Sequence, residues 1–160
     1  MSHSVTIRTQ TVTTSSTAII INTGYMKTWS GLLKLLQLAL GIVCVGIVGW
    51  KFNTHYHSTA ELFFLLITTT FMIGTFILLL SFLTSLSTSS IIPKTVYELL
   101  YHAIAFGLTL AAALTFLVHI SNNKGFRDYE LLLVAAVCCL INSALYLFST
   151  IFALRTYRGI

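Results

Sequence analysis

Between Trp29 and Lys51 the chain reads WSGLLKLLQLALGIVCVGIVGWK, and from Gly31 to Trp50 it holds one charge, Lys34, and one amide, Gln37. Twenty residues of helix rise about 30 Å, the thickness of a bilayer's hydrocarbon core. Trp29 and Trp50 stand at the two ends, where amphipathic indole rings prefer the headgroup boundary. This run is a transmembrane helix.

Three more spans are predicted. The second covers 61–86, long enough to cross with tilt. Pro93 suits the first turn of a third, over 94–119. Asn and Gly in SNNKGFRD break the chain before a fourth, over 129–154, and a short tail follows over 156–160. Residues 1–25 are rich in Ser and Thr with scattered valine and isoleucine; with nothing to pair against, they read as a mobile cytosolic tail whose hydroxyls are candidate phosphorylation sites. Four spans joined by short loops fold as an all-α, up-down-up-down transmembrane four-helix bundle, because neighbouring helices must be antiparallel.

Composition agrees. The chain is 56% hydrophobic and 8% charged, whereas a soluble domain carries roughly 25% charged residues. The net charge of +5 comes with no basic run, which argues against nucleic acid as a partner. Basic charge here reports topology instead. Arg8, Lys27, Lys34, Lys94, Arg155 and Arg158 lie on the side of the termini; Lys51, Lys124 and Arg127 lie on the other, offset by Glu61, Asp128 and Glu130. The excess places both termini in the cytosol. No signal peptide and no glycosylation acceptor is expected.

Function classes are excluded by chemistry. Cys44, Cys138 and Cys139 all lie in apolar segments, away from any loop that a disulfide would staple, and read as small packing residues. No Cys-x-x-Cys, His-Glu-x-x-His, Gly-x-Ser-x-Gly or carbonyl-filter motif occurs, so no enzyme is expected. His55, His57 and His119 approach one surface near Glu61 and Asp128, but without a fixed third ligand they read as solvated rather than as a zinc site.

Polar residues at membrane depth carry more information. Lys34 and Glu98 each lie about one turn inside helices that run in the same direction, so their opposite charges sit at matching depth. A charge at the bilayer centre costs about 2.5–3.5 kcal/mol, less toward the interface, and pairing relieves part of it. Lys34 is therefore expected to face Glu98, with Gln37 three residues on and His102 four residues on sharing those faces. Two readings stand: a structural clamp, with Lys34 snorkelling to the headgroups, or a proton or cation relay carried by Glu98. The clamp is favoured, because beyond His102 only threonines interrupt the apolar helix until His119. Asn142 is expected to bond between helices. The phenylalanines of helix two (Phe63, Phe64, Phe71, Phe76 and Phe82) read as packing or lipid-facing groups.

Lipid supplies no hydrophobic drive between helices, so small residues should mark their interfaces. Ala103, Gly107 and Ala111 form one track; Ala135, Cys139 and Ser143 form another; Gly41, Gly46 and Gly49 make a looser surface on helix one. Which track is internal and which meets a partner is open from sequence.

The approach and first span, GYMKTWSGLLKLLQLALGIVCVGIVGW, closely resemble those of MARVEL-domain proteins, in which an aromatic-basic approach leads into a Leu-Leu-Lys-Leu-Leu-type start. The resemblance covers about 25–157, with the domain placed at 26–155, and points to the small branch holding plasmolipin, the MAL proteolipids and the chemokine-like-factor type. Cysteine-paired loops of other four-span groups are missing. The resemblance implies a non-enzymatic organiser of membrane: vesicle trafficking, apposition at cell junctions, and support of partner membrane proteins in a plasma or vesicle membrane. Lipids, other integral membrane proteins and further copies of the chain are the expected partners; no cofactor is expected beyond a bound lipid or sterol. A small transporter or channel component using Glu98 is the alternative. Tyr157–Ile160 (YRGI) matches a Tyr-x-x-φ sorting pattern, close against helix four.

Overall fold

The computed structural model describes residues 24–51, 58–85, 91–123, 125 and 128–159. Most of the Ser/Thr-rich tail, His55 and His57, and Lys124, Arg127 and Ile160 lie outside the described residues. Four helices dominate: α1 (Trp29–Lys51), α2 (Thr59–Thr84), α3 (Val96–Asn122) and α4 (Tyr129–Arg158). All four are long and apolar enough to cross a membrane. Short 3-10 turns at Tyr25–Lys27 and Ile92–Lys94 precede α1 and α3.

The bundle closes in sequence order. Each helix packs along the next, and α4 returns to pack against α1. Contacts fix the directions. Tyr25 at the start of α1 meets Phe82 at the end of α2, and Phe64 near the start of α2 stacks on Phe116 near the end of α3. Cys139 on α4 reaches the Thr109 carbonyl on α3, while Gln37 and Cys44 of α1 meet Ser149 and Ala135 of α4, in reverse order. The arrangement is up-down-up-down.

Helix boundaries shift where local chemistry decides them. The expected start of the third span at Lys94 moves to Val96. Thr95 is extended (φ −98°, ψ 153°) and its hydroxyl donates to the Ile92 carbonyl, so Pro93 belongs to the preceding 3-10 turn. The second helix starts at Thr59, capped by the Ser58 hydroxyl accepting from the Glu61 amide, and stops at Thr84. The fourth runs on to Arg158, because Arg155 and Arg158 complement its C-terminal dipole and Gly159 takes the left-handed cap (φ 72°). Thirty residues make α4 about 45 Å long, more than a bilayer's hydrocarbon core is thick.

Only about a third of each span is buried inside the bundle, and the outward remainder is apolar. Stray hydroxyls are neutralised locally: Thr70, Ser81, Thr84 and Thr115 each donate to the carbonyl four residues back. The core divides lengthwise. One half is apolar, built from Cys44, Val48, Phe64, Phe116, Ile120 and Leu132 with their neighbours. The other half, toward the start of α1, contains the polar groups.

Glycine matters where backbones meet. Thr28 accepts from the Gly31 amide and donates to the Tyr25 carbonyl, folding the Tyr25–Lys27 turn down onto α1. A Cβ on Gly31 would overlap the Tyr25 carbonyl oxygen. Gly41 packs on Met72, and Gly74 on the Tyr101 ring. Gly31→Ala should therefore lower stability by about 1–3 kcal/mol, the usual penalty of overpacking, while Gly107→Ala, whose Cβ would meet nothing within 4 Å, should not. Thermal unfolding in detergent measures both; equal melting temperatures for the two variants would contradict this packing.

Candidate functional site

A polar cluster occupies the half of the bundle where α1 and α3 begin and α4 ends. Lys34, Gln37 and His102 expose 1% or less of their surface and Glu98 3%. Each lies on the inward stripe of its helix: Gly31, Lys34, Gln37, Gly41 and Cys44 on α1, and Glu98, His102, Ala105 and Thr109 on α3.

The Lys34 Nζ donates to Glu98 Oε1 at 2.5 Å and to Ser30 Oγ at 2.8 Å. It also lies 5.0 Å from the Phe82 ring centroid and 6.0 Å from that of Tyr25. Its ammonium is thus held by a carboxylate, a hydroxyl and two aromatic faces. Lys34 points inward rather than snorkelling to the headgroups, because Glu98 lies at its own depth and offers a charge-assisted bond. Burial pushes the Tyr25 phenol above its usual range, partly opposed by its hydrogen bond to Ser30.

His102 sits one turn past Glu98, its Nε2 3.6 Å from Oε1 and so beyond hydrogen-bonding distance. Its ring is flanked instead by Tyr101 and Tyr146, with centroids at 5.2 and 5.9 Å. Gln37 turns to α4, where Nε2 donates to Ser149 Oγ at 2.8 Å. Asn142 is buried, but its Oδ1 has no partner among the described residues, so the interhelical bond expected of it is not made there.

A second junction has little mark in the sequence. The phenols of Tyr101 and Tyr146 both donate to the Phe71 carbonyl, at 3.1 and 3.3 Å, and lie 2.9 and 2.7 Å from Thr75 Oγ1. One hub thereby ties α2, α3 and α4. Its only sequence signal is two tyrosines and a threonine at matching depth in apolar spans. At the opposite end, Lys51 pairs with Asp128 at 2.5 Å, partly exposed.

The small-residue tracks separate. Ala135, Cys139 and Ser143 are buried on α4, facing α1 and α3. On α3, Gly107 and Ala111 are exposed and Ala103 half-buried; the interior is lined by Ala105, Thr109 and Ala112 instead. Gly41 is inside, whereas Gly46 and Gly49 face outward, and a Cβ added to either would meet nothing within 4 Å. Among the helix-two phenylalanines, Phe64, Phe71 and Phe82 are core and Phe76 faces out.

Chemically, the cluster holds charge and crosslinks helices. Among the described residues no three His, Cys, Asp or Glu side chains are placed to hold a metal ion. The family model for the MARVEL membrane-associating domain matches residues 25–152, from the buried Tyr25 to the last inward turns of α4. The chain belongs to the MARVEL family. No curated protein and no solved structure gives a significant match.

Removing one partner of this MARVEL bundle's buried pair strands the other charge. Glu98→Ala should destabilise by about 3–5 kcal/mol, and Lys34→Met combined with Glu98→Leu should recover most of the loss. Unfolding of the single and double variants in detergent gives the comparison; a double variant no better than Glu98→Ala would mean the pair is not a unit.

Proposed function

We propose that the chain is a non-enzymatic membrane-organising scaffold or accessory subunit. It associates laterally with lipid and with other integral membrane proteins, supporting their trafficking, membrane apposition or junction assembly in a plasma or vesicle membrane. The observation that carries this reading is the outward placement of small residues: Gly107 and Ala111 on α3, and Gly46 and Gly49 on α1, are exposed, and a Cβ added to any of the three glycines would meet nothing within 4 Å. In lipid, such residues let a second helix approach closely. Further copies of the chain are one class of partner for these faces.

Orientation belongs to the same proposal. Lys27, Lys94, Arg155 and Arg158 are exposed at one end, and Glu98 is the sole acid described there; Glu61, Asp128 and Glu130 lie at the other. The basic end, with both termini, faces the cytosol.

Against the transporter alternative stands the apolar half of the core. There Phe64 stacks on Phe116 at 4.4 Å with Ile120 and Leu132 beside them, an apolar layer between Glu98 and the far end.

Gly107→Leu should cut recovery of laterally bound membrane proteins, or self-crosslinking, by about five- to thirtyfold, as loss of 1–2 kcal/mol of helix association predicts, with the melting temperature unchanged. Native-lipid purification followed by identification of bound proteins is the measurement. A chain that always emerges alone, with or without the substitution, defeats the scaffold reading. Proton flux in proteoliposomes that disappears in Glu98→Gln would establish the transporter instead.

A further inference from the structure

His102 is the buried group that the rest of the polar cluster leaves unserved. Its side chain is fully buried, and neither Nδ1 nor Nε2 has a hydrogen-bond partner among the described residues. A neutral imidazole carries one donor and one acceptor, and here both go unused. Tyr101 and Tyr146 flank the ring, but their phenols are turned to the Phe71 carbonyl and to Thr75. Glu98, one turn away, has its Oε1 3.6 Å from Nε2 and already bonded to Lys34. Buried polar groups in folded proteins are nearly all satisfied, so an idle imidazole beside a carboxylate calls for a state in which it is used. We propose that His102 is a proton-binding site, and that its protonation loosens the Lys34–Glu98 pair and with it the end of the bundle where α1 and α3 begin.

The direction follows from the charges that face the ring. They are Glu98 on α3 and Lys34 on α1, with the neutral phenols of Tyr101 on α3 and Tyr146 on α4. Tyr25, before α1, lies against the Lys34 ammonium. Nothing titratable comes from α2, whose one such side chain, Glu61, is in its first turn at the opposite end. With His102 neutral, Lys34 and Glu98 cancel. A proton on the imidazole puts two cations on one carboxylate. Glu98 has an oxygen to offer the Nε2–H, since Oε2 is without a partner among the described residues, but the Nδ1–H has no acceptor in place. The two cations also repel each other, and Lys34 keeps only Ser30 Oγ uncontested. Where the end of the bundle opens, water hydrates the imidazolium instead, so acid favours opening.

Such coupling is an equilibrium property and needs no standing water path. Brief opening of the helix ends lets the proton in, and His102 lies about 9 Å along the axis from the start of α3 at Val96. The proton enters and leaves by the same end, so nothing is transported. The outward small-residue faces play no part, so failure of this device leaves the scaffold reading standing and the reverse also holds.

Thermal unfolding of the full chain in detergent at pH 7.5 and 5.5 is the test. The melting temperature should fall by about 3–5 °C on acidification, the scale of one proton linked over one pH unit below histidine's ordinary value of about 6.5. His102→Gln should remove the fall, while His119→Gln, at the opposite end, should keep it. Hydrogen exchange on the unaltered chain decides the matter if His102→Gln does not fold. After correction for the intrinsic rate, amides around Lys34 and His102 should open up to about tenfold more often at pH 5.5, and those around Phe116 in the apolar half should not. A melting temperature that holds or rises on acidification overturns the proposal. So does a fall of the same size in His102→Gln, or exchange that quickens equally in both halves.

Discussion

Hydrocarbon offers no hydrogen bonds, so every polar group carried into the membrane must find its partner inside the protein. The Lys34–Glu98 pair is the most demanding instance here. Neither charge tolerates the interior alone, and each meets its counter-charge only when α1 and α3, diagonal in the bundle, sit at one relative depth. The pair therefore acts as a depth gauge between two helices that otherwise share little contact. Ser30, Phe82 and Tyr25 complete the shell around the ammonium and draw the N-terminal turn and the end of α2 to the same point.

Apolar side chains alone would not hold such a depth, because Leu against lipid and Leu against Leu differ little in energy. Registration falls instead to directional contacts. The Thr75 hub joins α2, α3 and α4; Gln37 joins α1 to α4 through Ser149. The half of the core without such contacts relies on shape, with Phe64 stacked on Phe116 and small α4 residues letting two neighbours approach. One half of the bundle is pinned by polarity and the other by fit.

The same economy explains how small residues are used. Where a small side chain brings helices of the bundle together it is buried, as Ala135 and Cys139 are. Where it points out of the bundle, as Gly46 and Gly107 do, it adds nothing to internal packing. The MARVEL bundle is thus stabilised from within, and its outer walls carry apolar and small side chains.

The number and length of the spans, their antiparallel order and the shared depth of Lys34 and Glu98 were legible in the chain itself, since each depends on spacing along one helix or on bilayer thickness. Spacing does not say which way a helix is turned when nearly all its faces are apolar. Rotation about each axis is decided only when four helices pack together, and so the tertiary structure alone sent Gly107 outward and Cys139 inward and turned Gln37 toward Ser149. It also gathered Thr75, Tyr101 and Tyr146, residues from three helices whose meeting no local pattern announces.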